Sequence, residues 1–387
     1  MDYFLSEEQQ MVQDLARQIA EEKVLPVRAE LDEKEEFPSK LIKHFAAADL
    51  FGIHIPEEYG GMGLGGFEHA LAVEQVARVC SGVATTYAAS MLGAYPILIH
   101  GSDELKKKYL PALASGEKLG AFALTESNAG SDVGGIQTRA VREGQEYVLN
   151  GTKQWITNAG EADIYSVIAM TDPGRGARGA TFFVVEKGDP GFEFGKREKK
   201  LGIRCSATGD LIFRNCRLPA DRVIAREGLG FIIAMATFDQ SRPGVGAQAV
   251  GLAQGALEAA VEFARERVQF GHPIISIQAV QHLLADMAAL VEAARALVYA
   301  AARYLDSGAR DISKISAIAK LFPTDVAMKV TTDAVQVFGG AGYMREYPVE
   351  KMMRDAKILQ IYEGTNQVQR NIIGQELNKE FGRRKKK

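Results

Sequence analysis

Little in this 387-residue chain points to metal, thiol or nucleic-acid chemistry. Its three cysteines, Cys80, Cys205 and Cys216, are an odd set with none of the short spacings of zinc or redox motifs, so reduced structural thiols in a cytoplasm are expected. The six histidines include no His-x-x-x-His pair and none clustered with a cysteine, which leaves no metal site to assign. No lysine follows a glycine loop in the P-loop manner and no G-x-S-x-G elbow occurs, which removes P-loop and α/β-hydrolase chemistry. Basic residues are not in excess: 46 Lys and Arg against 49 Asp and Glu give a net charge of -3, which argues against nucleic acid as a partner. The N-terminus lacks the basic and apolar segments of a signal peptide and is too acidic for a transit peptide.

One long stretch lacks charge altogether, between Arg78 and Asp103, and a bilayer needs roughly 20 such residues. Ser81, Gly82, Thr85, Thr86, Ser90, Gly93 and Pro96 interrupt it, so it reads as a buried segment lining a pocket or a subunit contact, with no membrane insertion. Gly61-Met62-Gly63-Leu64-Gly65-Gly66 satisfies G-x-G-x-x-G but follows Pro56-Glu57-Glu58-Tyr59 rather than a hydrophobic strand, and reads as a plain loop.

What is present is an ordinary globular composition, 47% hydrophobic, on a chain long enough for two or three packed units. Ser6 with Gln9 three residues on predicts a capped helix start, and further helices are expected near Pro38, after Gly60–Gly66 and at Ser102-Asp103. After Gly116 the pattern turns to strands: Thr181–Val185 is one, and Asn150-Gly151 predicts a hairpin turn between Tyr147–Leu149 and Trp155–Thr157. Helical spacing returns near Gly228, with a run free of Gly and Pro from Ile274 to Ser307. Pro323 falls inside a helical pattern and predicts a kink or break. Arg383–Lys387 reads as solvated charge. The expected fold class is α+β: an N-terminal α-helical domain (1–117), a middle β-barrel-like domain (118–227) and a C-terminal helix bundle (228–387).

Six segments, in order along the chain, resemble the acyl-CoA dehydrogenase family and its short- and medium-chain branch. Phe122-Ala123-Leu124-Thr125-Glu126-Ser127-Asn128-Ala129-Gly130-Ser131-Asp132 is similar to a family loop that holds the flavin ring and pyrophosphate; the family usually has proline at the position of Ser127. Gln154-Trp155-Ile156-Thr157-Asn158-Ala159-Gly160 resembles the segment whose tryptophan packs on the flavin. Asp239-Gln240-Ser241-Arg242-Pro243 is similar to a CoA-contacting segment, although a helix-start arginine paired with Asp239 is equally compatible with Arg242. Arg265-Glu266-Arg267-Val268-Gln269-Phe270-Gly271, with Gln278, resembles an element reaching a neighbouring subunit's FAD, where a guanidinium fork suits pyrophosphate. Gln336-Val337-Phe338-Gly339-Gly340-Ala341-Gly342 matches a stretch where backbone approaches the cofactor. In Ile361-Tyr362-Glu363-Gly364-Thr365-Asn366-Gln367, Glu363 stands where the family has its catalytic base; taken alone, it reads as part of a helix cap.

The resemblance implies FAD as cofactor, held by Phe122, Leu124, Thr125, Gly130, Ser131, Trp155, Ile156, Thr157, Arg267, Gln269, Phe270, Gln278, Gln336, Val337, Gly339, Gly340, Thr365 and Gln367. It implies a substrate site at Ser131, Tyr87, Met91, Tyr95, Asp239, Arg242 and Gly364, with Glu363 catalytic. Relatives with the base elsewhere carry it approximately at Ser241, and serine cannot serve there. The expected activity is α,β-dehydrogenation of a short- to medium-chain, branched or alicyclic acyl-CoA by a cytoplasmic homotetramer, with electron-transferring flavoprotein as acceptor. The arginine-free segment Thr85–Pro96 ranks dicarboxylic acyl groups low. An oxygen-using acyl-CoA oxidase and a non-catalytic flavin-binding scaffold remain as alternatives.

Overall fold

A computed structural model describes residues 3–384, so the terminal lysines of the basic tail lie outside the described residues. Ser6 caps the first helix as expected: its Oγ accepts from Gln9 N–H at 3.2 Å, and the Gln9 side chain accepts from Ser6 N–H at 3.0 Å. Six helices form the N-terminal part: α1 (Glu7–Ile19), α2 (Arg28–Lys34), α3 (Ser39–Ala47), α4 (Gly66–Val79), α5 (Ser81–His100) and α6 (Asp103–Ala114). The uncharged stretch is α5. It is long and apolar enough to cross a membrane, but most of it is buried inside the structure, against α4, β1 and a long C-terminal helix.

The middle section is an eight-stranded mixed sheet of β1 (Gly120–Ala123), β2 (Arg139–Glu143), β3 (Glu146–Thr157), β4 (Ile164–Met170), β5 (Ala180–Glu186), β6 (Phe192–Arg197), β7 (Thr208–Pro219) and β8 (Val223–Ile224). Its order is β6-β7-β3-β2-β4-β5-β8, with β1 beside β4. Every residue of β4 is buried, because alternate side chains feed two separate cores. Tyr165, Val167 and Ala169 join one, while Ile164, Ile168 and Met170 join another with Tyr95 and Tyr109 of the N-terminal helices.

The Asn150-Gly151 hairpin is not there. Both residues lie inside β3, at a register shift against β7, and the turn preceding β3 is made at Gly144 instead. Asn150 exchanges two hydrogen bonds with Asn215 on β7, at 2.8 and 3.1 Å, so the signal was spent on a bulge rather than a turn.

The C-terminal bundle holds α7 (Gly230–Glu266), a small hairpin of β9 (Val268–Gln269) and β10 (His272–Pro273), then α8 (Gln278–Asp306), α9 (Ser313–Phe338), α10 (Val349–Leu359) and α11 (Asn366–Arg384). Pro323 does not end α9, which runs through it. The carbonyl that loses its helical donor to Pro323 is that of Ala319, and it lies against Gly246 of α7, where a Cβ would come within 2.2 Å. Close helix approach at a glycine thus accommodates the proline.

Candidate active site

All three parts of the chain meet at one cavity of about 150 Å³. From α5 come Thr85, Ala88, Ala89, Leu92 and Tyr95; from the sheet, Phe122, Leu124, Thr125, Trp155, Ile156 and Thr157; from α7, Phe238, Ser241, Val245 and Gln248; and from the turn before α11, Tyr362 and Glu363. The spacing of the α5 residues is that of one helix face. Tyr87 and Met91, expected at the acyl pocket, are four residues apart on another face and do not line it. Tyr87 donates its hydroxyl to Leu50 O at 2.8 Å, and Met91 packs in the second core.

Glu363 sits in a left-handed turn, with φ of 52° at Glu363 and 90° at Gly364. Its Oε2 accepts from Ser241 Oγ at 2.5 Å. Part of its surface faces the open cavity, but the carboxyl is dry enough that burial raises its pKa above the usual carboxylate range; the Ser241 hydroxyl and the positive charges of Arg242 and Lys320 counter that rise. The Glu363 N–H has no acceptor among the described residues. Both carbonyls of the turn are taken: Gln369 Nε2 donates to Glu363 O at 3.1 Å and Gly364 O at 2.9 Å, and buried Lys320 donates to Gly364 O at 2.8 Å. Thr365 does the capping, accepting from Val368 N–H at 3.2 Å, and Gln367 is exposed. Tyr362 donates to Gln248 at 2.6 Å, and Gln248 in turn donates to Ser81 and Thr85 of α5.

Trp155 is the odd member of the wall. It is 57% exposed with φ of 58°, at a second register shift of β3, so a bulge turns the chain's one tryptophan outward into the cavity. An exposed indole held in a left-handed backbone suits a planar aromatic partner better than a packing role. The first two motif segments are tied together here: Gln154 N–H donates to Thr125 O at 2.8 Å, and Lys153 Nζ bonds Leu124 O at 3.0 Å and Glu126 at 2.6 Å. Burial lowers the Lys153 pKa to about 8, against the pull of Glu126. Glu126 also accepts from Gln137 and Thr138 N–H, so this ion pair holds the loop where Ser127 replaces proline. Gly130 and Ser131, further round that loop, are exposed and do not line the cavity.

Arg242 is buried and paired with Asp239 at 2.8 Å, with its Nε unpartnered; it lies behind the cavity wall rather than on it. The remaining motif residues form a separate group. Arg267, Gln269, Phe270, Gln278, Gln336, Gly339 and Gly340 are exposed, while Val337 is buried. They gather at one end of the bundle, where Phe263 of α7 stacks on Phe338 of α9 with ring centroids 4.1 Å apart. Sequence reasoning missed Lys153, Lys320, Gln248, Gln369 and His69, another wall residue. Among the described residues no group of three or more His, Cys, Asp or Glu side chains could hold a metal.

Comparison with known proteins gives matches over nearly the whole chain. Profiles of the acyl-CoA dehydrogenase N-terminal, middle and C-terminal domains match residues 6–117, 121–216 and 228–378. The chain is similar to the probable acyl-CoA dehydrogenase FadE25 of Mycobacterium tuberculosis, at 49% identity over 96% of each chain. Its structure is similar to butyryl-CoA dehydrogenase from Megasphaera elsdenii, with TM-score 0.95 and 46% identity over 97% of this chain and 100% of that one. It is also similar to a chain in a structure described as electron transferring flavoprotein of Acidaminococcus fermentans, with TM-score 0.96 and 49% identity over 97% and 99%.

Proposed function

Because the chain belongs to the acyl-CoA dehydrogenase family, we propose that Glu363 is the base that removes the α-proton of an acyl-CoA thioester. The activity is FAD-dependent dehydrogenation of acyl-CoA. The observation that carries the assignment is the Glu363 carboxyl in a cavity whose other wall is the outward-turned Trp155.

A proton next to a thioester carbonyl is too weakly acidic for a carboxylate in water. Burial strengthens Glu363 as a base, while Ser241, Arg242 and Lys320 oppose its protonation in the resting site. Its free N–H is a donor for the thioester oxygen as negative charge develops there. Trp155, with Leu124, Thr125, Ile156 and Thr157, would hold the flavin ring, with Gly130 and Ser131 on the adjoining loop and Thr365 and Gln367 beside the base. Bound FAD supplies the acceptor for hydride from the β-carbon.

The group at Arg267, Gln269, Phe270, Gln278, Gln336 and Gly340 is exposed and lines no part of the cavity, which supports a second copy's FAD as its target and a homotetramer as the assembly. Similarity to the Acidaminococcus chain supports electron-transferring flavoprotein as acceptor. Three unpaired buried thiols fit a cytoplasmic setting.

The acyl group is short to medium, branched or alicyclic in this reading. The cavity wall has no Lys or Arg, and burial drives the His69 pKa down to about 3, so no cation meets a distal carboxylate. The test is anaerobic titration with butyryl-, octanoyl-, cyclohexanecarboxyl- and glutaryl-CoA, following flavin bleaching in the native protein and in Glu363→Gln. Bleaching by the first three, slowed by about 100-fold or more in the variant, is expected; preference for glutaryl-CoA, or a variant bleached at the native rate, contradicts the reading.

A further inference from the structure

Lys320 is a fully buried lysine on α9. Its Nζ donates to Gly364 O at 2.8 Å and to Asn366 Oδ1 at 2.9 Å. Asn366 is fixed in turn, donating to Thr324 Oγ1 at 2.9 Å and Asp325 at 2.7 Å. The lysine therefore grips the left-handed Glu363–Gly364 turn from below, while Gln369 grips it from α11. Burial lowers the Lys320 pKa to about 7, with Glu363 pulling it up and Arg242 pushing it down, so on the acid side of neutrality a costly buried ammonium stands where a neutral donor would satisfy the same oxygens. The groups facing the Glu363 carboxyl are Ser241 and Arg242 from α7, with Asp239 paired to Arg242; Tyr95 from α5; Tyr362 from the turn; and Lys320 from α9, with Asp325 nearby.

We propose that Lys320 is a positioning residue for the base: its ammonium pins the Glu363–Gly364 turn through the Gly364 carbonyl and holds a positive charge close to the Glu363 carboxylate. The proposal rests on the reading of Glu363 as base. It gives the buried charge two tasks that a structural lysine lacks. It keeps the left-handed turn from relaxing, which keeps the carboxyl aimed into the cavity, and below about pH 7, where it carries its proton, it favours the ionised form of that carboxyl.

The test uses the FAD-loaded enzyme and the acyl-CoA of the panel that is turned over fastest. Anaerobic stopped-flow gives the limiting rate of flavin reduction and the apparent Kd between pH 5 and 9, for the native protein and for Lys320→Met, Lys320→Gln and Lys320→Arg, with FAD content and melting temperature recorded for each. In Lys320→Met and Lys320→Gln the limiting rate is expected to fall roughly 10- to 100-fold, Kd to stay within about threefold, and the acid limb to move up by about one pH unit, because an opposite charge near a carboxylate lowers its pKa by about that much or more. Lys320→Arg, which keeps the charge, is expected to return the limb toward its native position. An unmoved limb in the Met and Gln variants, or a loss confined to Kd, overturns the proposal. So does failure of both to fold with FAD bound, which would make Lys320 a residue of the fold alone. Glu363→Gln, run alongside, separates the two readings: if it is reduced at the native rate, the assignment of the base is wrong whatever the lysine variants do.

Discussion

Two regions carry the cofactor and substrate motifs, and they are built in opposite ways. The Glu363 turn is over-determined from within: Ser241 holds the carboxyl, Gln369 and Lys320 hold the two carbonyls, and Tyr362 is locked to α5 through Gln248. The hairpin after α7 is the reverse. Phe270 is 89% exposed with φ of 55°, and Arg267 and Gln269 project beside it. A strained, exposed aromatic costs free energy in an isolated chain, so the hairpin makes sense as half of a contact. On the proposed reading, the chemistry is placed by one chain and completion of the cofactor site is left to a second.

The largest effect falls in the enclosed region. Glu363→Gln keeps the shape and removes the base, and kcat is expected to drop by about 10²- to 10⁴-fold in steady-state assays, with FAD still bound. If FAD were lost instead, the turn would belong to cofactor binding. Next, Arg267→Ala should weaken FAD binding by about 10- to 100-fold, as expected for a charge-assisted pair, while the chain stays folded; spectrophotometric FAD titration reads this. Equal damage from Arg267→Ala at the α-proton step would erase the contrast between the regions.

Ser241→Ala is expected to act more gently. Base strength requires an ionised Glu363, so the rate falls as pH drops through its pKa, which burial already places above the usual carboxylate range. Losing the serine donor raises that pKa further. The acid limb of kcat should therefore move to higher pH, and Ser241→Thr should bring it back. Smallest is Phe270→Ala: a few-fold weaker subunit association at low protein concentration, measured by analytical ultracentrifugation, with no change in the pH profile.

The α, β, α arrangement was legible because helical spacing and strand composition change at Gly116 and Gly228, and the ordered motifs pointed to Glu363 and Trp155. The failures have particular causes. Asn150-Gly151 is a strong turn signal locally, but Asn215 on β7 is a partner 65 residues away that no local window contains. Pro323 is tolerated because Gly246, on another helix, gives Ala319 O room. Tyr87 and Met91 have side chains suited to an acyl pocket but lie off the helix face that lines it, which is that of Thr85, Ala89 and Leu92. Lys153 and Lys320 were unreadable as buried residues, since what makes their burial tolerable is Glu126, Gly364 and Asn366, brought to them only by the fold.

In the proposed assembly a working site takes Glu363 from one copy and Arg267 from another. Co-expression of Glu363→Gln with Arg267→Ala, each carrying its own affinity tag and isolated as the doubly tagged assembly, separates this arrangement from a site built within one chain. The mixed assembly is expected to bleach with acyl-CoA far faster than either variant alone, because some sites then combine a native Glu363 with a native Arg267. Activity no greater than the sum of the two separate variants would mean that both residues serve the same chain's site, and would contradict it.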